Sequence, residues 1–317
     1  MKTVIISKFG GPEVINMVEQ PLPAAERDKV LIKVAYAGIN PLDWKVRSGS
    51  MKMVTGKKLP QKPGYECSGL VSETGPGVKE LKPGDRVIAA TGMKGGAYSE
   101  YIALPEKNCA KLPENIDLKT AGGSYICGLT AYQSLLQKGK LDDTKSVMII
   151  GAAGGVGSFA TQIARVIGAD VTAVCSTKNE SFVKDLGASR VIDYTKENVS
   201  KVGSSFDLIF DAVNAHSWSS MKPLLKPNGI YLNTFPTPSV FLKQILTGIL
   251  PGKKCKTYLM NINQGDINWV LKNMAIGEIS IRIDRVFSFE QVSEAISENE
   301  KGRTRGKIIL AVDPSMS

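Results

Sequence analysis

Histidine is nearly absent: the chain of 317 residues has one, His216. A metal centre built on imidazole ligands is therefore not expected, and thiolates offer little more. The five cysteines (Cys67, Cys109, Cys127, Cys175, Cys255) form no Cys-x-x-Cys pair, the spacing that zinc sites commonly use. Their odd number and apolar neighbours read as buried thiols in a reducing compartment rather than as a disulfide frame. Long hydrophobic runs are missing too. The longest apolar stretch near the end, 239–250, is short and carries Lys243, against the about 20 apolar residues that a spanning helix needs. The first residues run directly into a β-like segment at 3–6 with no basic region, apolar core and cleavage site, so no secretory leader is expected and a cytoplasmic protein is. Aromatics amount to 7% and no Lys/Arg run is interleaved with them, as a single-strand nucleic-acid face would require. The net charge of +10 thus leaves a solvated basic surface, an anionic membrane face or a phosphorylated cofactor as its meaning.

What is present is an ordinary globular composition, 43% hydrophobic and 22% charged, in a chain long enough for two cores. The first third reads as short strands at 30–35, 69–73 and 86–90, with Lys82-Pro83-Gly84-Asp85 as a turn between the last two. From about residue 121 strand and helix alternate, which favours a parallel, doubly wound sheet: strands at 146–150, 171–175, 191–192, 208–210 and 230–233, with helices at 158–167 and 179–186. The tail alternates helix and strand at 267–275, 282–287, 289–298 and 307–312. It is too small for a core of its own, so it is assigned back to the first domain. The expectation is an α/β protein with one domain formed by 1–124 and 265–317 and a second by 125–264.

The sharpest motif is Gly151-Ala152-Ala153-Gly154-Gly155-Val156-Gly157, which follows an apolar strand and opens a helix. Glycines let the backbone turn and approach a pyrophosphate, and the helix N-terminus supplies amides and positive dipole. The strict G-x-G-x-x-G pattern is not met, because Ala152 stands at its first glycine. Ala153, Gly154, Gly155 and Val156 are the expected cofactor contacts. Where an Asp or Glu would hold the ribose hydroxyls of NAD, the chain has Cys175-Ser176-Thr177-Lys178. Ser176 and Lys178 would donate to a 2′-phosphate, so NADPH is expected; Tyr194 would add a phenolic donor or stack on adenine. An ordinary surface lysine is the competing account of Lys178.

Several patches together resemble the quinone oxidoreductase-like, enone-reducing branch of the medium-chain dehydrogenase/reductase superfamily: Asn40-Pro41-Leu42-Asp43-Trp44-Lys45, Pro63-Gly64-Tyr65-Glu66-Cys67-Ser68-Gly69, Gly84-Asp85-Arg86-Val87, Gly95-Gly96-Ala97-Tyr98-Ser99-Glu100-Tyr101, Gly128-Leu129-Thr130-Ala131-Tyr132, the glycine loop and Arg305-Gly306-Lys307. The first patch looks most like the subgroup with plastid-envelope quinone oxidoreductase homologues. The resemblance implies a GroES-like β-rich catalytic domain, a Rossmann domain, NADPH, and a homodimer formed through the Rossmann sheets. It also implies Thr130 and Lys307 as polar contacts to NADPH. Asn40 and Tyr65 stand where zinc-dependent relatives carry a cysteine and a histidine, so no zinc is expected.

Without a metal, a saturated ketone loses its Lewis acid, whereas a conjugated enone or quinone spreads the incoming charge into an enolate or phenolate. Asn40, as amide donor, and Lys45, as cation and proton relay, are the expected oxyanion pair, facing one cleft across a turn at Pro41. Asp43 is read as fixing that loop, and Trp44 and Tyr65 as lining the acceptor pocket; His216 is read as a loop residue. The stretch 236–254 is an apolar insertion that would cover the pocket, support a dimer or rest on a membrane surface. Two rival readings stand beside reduction of a small enone or quinone: a weakly catalytic NADPH-binding protein acting through nucleic acid or membrane, and an enoyl reductase of carrier-bound chains.

Overall fold

The computed structural model describes residues 1–203, 205–235 and 237–316, so Pro236, at the start of the insertion, lies outside them. The chain divides into two compact units: Met1–Ile126 with Ile262–Ile276 and Ile281–Ser317, and Cys127–Asn261 with Gly277–Ser280.

The first unit begins with a hairpin, β1 (Lys2–Ile6) against β2 (Ile15–Glu19). Five further strands follow: β3 (Lys29–Ile39), β4 (Glu66–Thr74), β5 (Arg86–Ala90), β6 (Tyr101–Pro105) and β7 (Cys109–Lys111). β3 is long because Val30 to Ile39 offers apolar side chains on both faces, and nearly all of them are buried. It pairs antiparallel with both β4 and β6. Between β3 and β4 the chain forms the helix Pro41–Arg47. Pro41 was expected to make a turn; it instead sits at the first helical position, where its missing N–H costs nothing and its fixed φ suits the helix.

The second unit holds β8 (Ser146–Ile150), β9 (Asp170–Cys175), β10 (Arg190–Asp193), β11 (Phe206–Asp211), β12 (Leu225–Asn233) and β13 (Lys254–Thr257). They lie in the order β10-β9-β8-β11-β12-β13, and every pairing is parallel. The helix Gly155–Val166 follows β8 and buries Phe159, Ile163 and Ala164. The edge strand β13 was not expected; Lys254-Cys255-Lys256-Thr257 has one apolar residue, and its partner lies far back at β12.

The chain closes in the first unit with β14 (Ile283–Ser288) and β15 (Lys307–Ala311), which extend the sheet as β14-β15-β3. The tail therefore completes a core containing Ile39, Val87, Phe289, Ile296, Ile308 and Leu310. All five cysteines are buried free thiols.

Candidate active site and cofactor cradle

The start of the helix Pro41–Arg47 is held by a buried carboxylate. Asp43 is fully enclosed and accepts from the Asn40 backbone N–H at 2.7 Å, the Gly64 N–H at 2.9 Å and the Tyr98 hydroxyl at 2.7 Å. Burial pushes its pKa up to about 6 against the pull of these donors. Asp43 thus ties the segment after β3 to the one before β4, as the local-bonding reading expected.

Asn40 is buried and its amide is fully used. Its Nδ2 donates to Gly38 O at 3.2 Å and to Glu66 Oε1 at 2.9 Å, while its Oδ1 accepts from Lys307 Nζ at 2.7 Å. Lys307, 3% exposed, also donates to Ile39 O at 2.8 Å and pairs with Glu66 at 2.7 Å. Its three ammonium hydrogens therefore have three acceptors within the first unit. Glu66, fully buried, takes a further bond from the Ile126 N–H at 2.9 Å. Two glycines make room: a Cβ on Gly38 would lie 2.4 Å from Glu66 Oε1, and one on Gly123 2.9 Å from Lys307 Cγ. In this arrangement Asn40, the expected oxyanion donor, spends its two amide hydrogens on Gly38 O and Glu66, and Lys307, expected as a polar contact to NADPH, is bonded to Glu66, Asn40 and Ile39 O. Glu66 had been read only as a neighbour of Tyr65, yet it organises the cluster.

Lys45 lies on the same helix, half-buried, with its Nζ 5.4 Å from the centre of the Trp44 ring. Partial burial lowers its pKa. Lys45 is the fifth residue after Asn40, which is the extended N-cap of that helix. Tyr65 is buried and its phenol is held neutral by burial and the nearby Asp43 charge.

In the second unit the strand order reverses between β8 and β11, the switch point where open α/β sheets bind ligands at the carboxyl ends of their strands. The glycines after β8 divide the work. Gly151 adopts φ +79°, and a Cβ there would meet Val213 at 2.6 Å; Gly157 packs so closely that its Cβ would lie 2.1 Å from Gly151 O. Gly154 is the N-cap of the helix Gly155–Val166 and has no side chain to cap it. The first-turn amides are thus left for an outside acceptor. The pattern served is Gly-x-x-Gly-x-x-Gly at 151, 154 and 157, which explains how Ala152 and Ala153 fit.

On the other side of the switch point, Asp211 at the end of β11 is fully buried. It gathers the Val213, Ala215 and His216 N–H groups at 3.2, 3.1 and 2.9 Å. His216 serves here through its backbone. Asn233, at the end of β12, is buried and donates to Asn214 at 3.0 Å, while its Oδ1 has no protein partner. Neither Asp211 nor Asn233 was singled out from sequence; the signal was their place at strand C-termini flanking the reversal.

After β9, Ser176 accepts from Asn179 Nδ2 at 3.3 Å, Lys178 is exposed and Tyr194 is 59% exposed. Two carboxylates are near, Glu180 and Asp193, and Lys196 pairs with both, at 3.3 and 3.2 Å. Asp193 also accepts from the Thr177 hydroxyl and from the Thr195 N–H and hydroxyl at 2.9 and 2.7 Å, and of the two it is Asp193 that is held by the most donors. These donors hold it well below the ordinary carboxylate range despite the opposing cost of burial, so its charge is already compensated. Thr130 lies on the helix Tyr125–Tyr132 and is 7% exposed.

Family models match over both regions: an alcohol dehydrogenase GroES-like domain over residues 26–114 and a zinc-binding dehydrogenase domain over 186–310. A chloroplastic quinone oxidoreductase QR1 of Triphysaria versicolor is 33% identical over 95% of each chain. This chain belongs to the quinone oxidoreductase branch of the medium-chain dehydrogenase/reductase superfamily. Another member, the chloroplastic NADPH-dependent alkenal/one oxidoreductase of Arabidopsis thaliana, is 33% identical over 98% of this chain and 79% of its own. Among solved structures, the quinone oxidoreductase of Coxiella burnetii superposes with a TM-score of 0.91 at 28% identity, covering 98% and 99% of the two chains. The first unit is accordingly the GroES-like domain and the second the Rossmann domain.

The zinc named in one family model does not fit the residues found. A catalytic zinc takes thiolate, imidazole and carboxylate donors. Here Asn40 and Tyr65 flank Glu66, and the Lys307 ammonium fills the space between Asn40 and Glu66. Among the described residues no three His, Cys, Asp or Glu side chains converge as ligands. A dinucleotide does fit the Rossmann domain: the uncapped helix N-terminus follows β8 at the switch point, and the unpartnered Asn233 Oδ1 lies at the carboxyl end of β12, next to β11.

Proposed function

We propose that the protein is a zinc-independent, NADPH-dependent reductase of quinones or of the carbon–carbon double bond of α,β-unsaturated carbonyls. The observation that carries this reading is the ammonium of Lys307 locked between Asn40 and Glu66, which leaves no Lewis-acid position. Conjugated acceptors are the class that needs none. The names of the relatives agree, one being an NADPH-dependent alkenal/one oxidoreductase.

The loop amides at Ala153, Gly155 and Val156 would hold the pyrophosphate, with Gly154, whose N–H donates to Gly151 O at 3.0 Å, contributing close backbone approach, and Ser176, Lys178 and Tyr194 would hold the 2′-phosphate and adenine end. Thr130 and Asn233 are further polar contacts. When bound, NADPH supplies the hydride that is delivered to the β-carbon or the quinone ring. Lys45 is the catalytic residue: its ammonium stabilises the enolate or phenolate oxygen and gives it a proton, and a lowered pKa makes that proton easier to release. Asn40 is a positioning residue that sets the start of the Lys45 helix, with Trp44 and Tyr65 as apolar walls for the acceptor. The assembly is a homodimer and the setting cytoplasmic. Among the described residues no helix is long and apolar enough to cross a membrane, and the relatives named above carry chloroplastic names.

The test is NADPH oxidation by chelator-treated protein against a quinone, a linear enone and a saturated ketone, with NADH in parallel. Turnover of the two conjugated acceptors, with NADPH preferred by about tenfold or more, supports the reading. Turnover of the ketone alone, or only after zinc is added, sinks it.

A further inference from the structure

The helix Pro41–Arg47 has seven residues, too few to hold itself in water, so its fixity comes from what surrounds it. Asp43 ties its start to Gly64 and Tyr98. Its end is tied as thoroughly. The last four carbonyls of a helix find no partner within it, yet here each is bonded. Trp44 O accepts from the Ser48 N–H at 2.9 Å, Val46 O from the Gly49 N–H at 3.0 Å and Arg47 O from the Gly10 N–H at 3.0 Å. Lys45 O accepts twice, from the hydroxyls of Ser48 at 3.1 Å and Ser50 at 3.0 Å.

A further tie runs through a side chain. Arg47 is buried, its side chain 3% exposed, and its Nη2 donates to Glu300 Oε2 at 2.6 Å. Glu300 ends the helix Val292–Glu300, which packs Val292, Ala295 and Ile296 into the core of the first unit. Segment 10–12 joins the two helices a second time, since Gly10 donates to Arg47 O and Pro12 O accepts from the Ser293 hydroxyl at 3.1 Å. Arg47 Nε and Nη1 are buried with no hydrogen-bond partner. Burying a cation costs stability, and N–H groups left unmet add to that cost. An apolar side chain would fill the same space without either. What it would not supply is the one directed bond to Glu300, and that bond reaches the helix two residues beyond Lys45. The Lys45 ammonium stands at the end of a flexible chain, so the backbone can fix only its root; a reacting group displaced by about 1 Å loses about 100-fold in rate.

We propose that Arg47 is a positioning residue for the reduction: through Glu300 it fixes the helix Pro41–Arg47, and with it the root of Lys45, on the closing helix Val292–Glu300. The proposal rests on Lys45 acting as assigned above. The hydroxyls of Ser48 and Ser50 serve the same end at the Lys45 carbonyl.

The test compares Arg47→Met, Arg47→Lys and Ser48→Ala/Ser50→Ala in the full chain, well below their melting temperatures, by steady-state quinone reduction and by amide hydrogen exchange over residues 44–50. Arg47→Met is expected to lower kcat about tenfold with the KM for NADPH unchanged, and to speed exchange of the Ser48 and Gly49 N–H groups. Arg47→Lys, which keeps the cation and one bond to Glu300, is expected to restore kcat to within about threefold. The serine pair is exposed and outside the core, so its variant keeps the proposal testable should Arg47→Met fold poorly; a several-fold loss of kcat with the same faster exchange is expected. Faster exchange with kcat at the wild-type level overturns the proposal alone, as does a kcat loss in Arg47→Met that Arg47→Lys leaves unrepaired. A wild type that reduces no conjugated acceptor overturns the functional reading as well, which separates the two failures.

Discussion

A lysine partly withdrawn from water gives up its proton at lower pH than one in solvent, because burial penalises the charged form. For Lys45 the direction is downward from 10.5, and the proposed role needs the protonated form. Turnover should therefore fall as pH rises through a value below 10.5, and Lys45→Met should remove that limb while lowering kcat by about 100-fold and leaving NADPH affinity unchanged. A pH–rate profile with stopped-flow NADPH titration reads both; equal losses in kcat and affinity would move Lys45 out of the chemistry. Lys178 makes a separate claim about specificity. Replacing its ammonium with a carboxylate in Lys178→Asp exchanges a donor for a repelling charge, so kcat/KM for NADPH should drop by about 10- to 100-fold while that for NADH holds. Lys307 shows the limit of residue types alone. Its sequence neighbours advertise a basic tail, but its partners are Glu66 and Asn40, 241 and 267 positions away by number, and no local pattern encodes that distance.

At the scale of elements, the glycine loop separates two kinds of damage. Gly154 has an ordinary extended backbone and a Cβ there would come no closer than 3.4 Å to Gly151 O, so Gly154→Ala should fold normally while its methyl stands over the amides meant for pyrophosphate. Gly157 has no such room, its Cβ falling 2.1 Å from Gly151 O and 2.8 Å from Ala152 Cα. Gly157→Ala should lose about 2 kcal/mol of stability as well as affinity. Thermal melts paired with NADPH titration distinguish the two, and matched behaviour of both variants would contradict this division. The β8–loop–helix unit was legible because an apolar strand, a glycine turn and a helical period follow one another within some twenty residues. The helix Pro41–Arg47 was not, since Pro41 serves equally as turn former or first helical residue, and what decides is Asp43 reaching Gly64 and Tyr98. The strand β13 was hidden for a similar reason: it forms because β12 offers an edge, not because Lys-Cys-Lys-Thr favours extension.

At the scale of the whole molecule, the chain enters the GroES-like domain, leaves it at Cys127 and returns to it at Ile262 and Ile281, so the two domains depend differently on the C-terminus. β15 pairs antiparallel with β3 from Ile308↔Ile39 to Ala311↔Tyr36, and it carries Lys307, the only ammonium bonded to buried Glu66 and Asn40 among the described residues. Ending the chain at residue 280 would bare the edge of β3, expose Ile39 and Ala37 and leave the Glu66 carboxylate buried without its cation, a loss of about 3–5 kcal/mol from the ion pair alone. The Rossmann domain loses less: Gln162 keeps its bonds to Ser280, Oε1 accepting from the N–H and Nε2 donating to the carbonyl, both at 2.8 Å. A chain of residues 1–280 should therefore lack native near-ultraviolet dichroism from its GroES-like part while its Rossmann part still gains thermal stability from NADPH. Dichroism and ligand-dependent melting of that fragment against the full chain decide it. A natively folded 1–280 would show that the tail decorates the first domain rather than completing it.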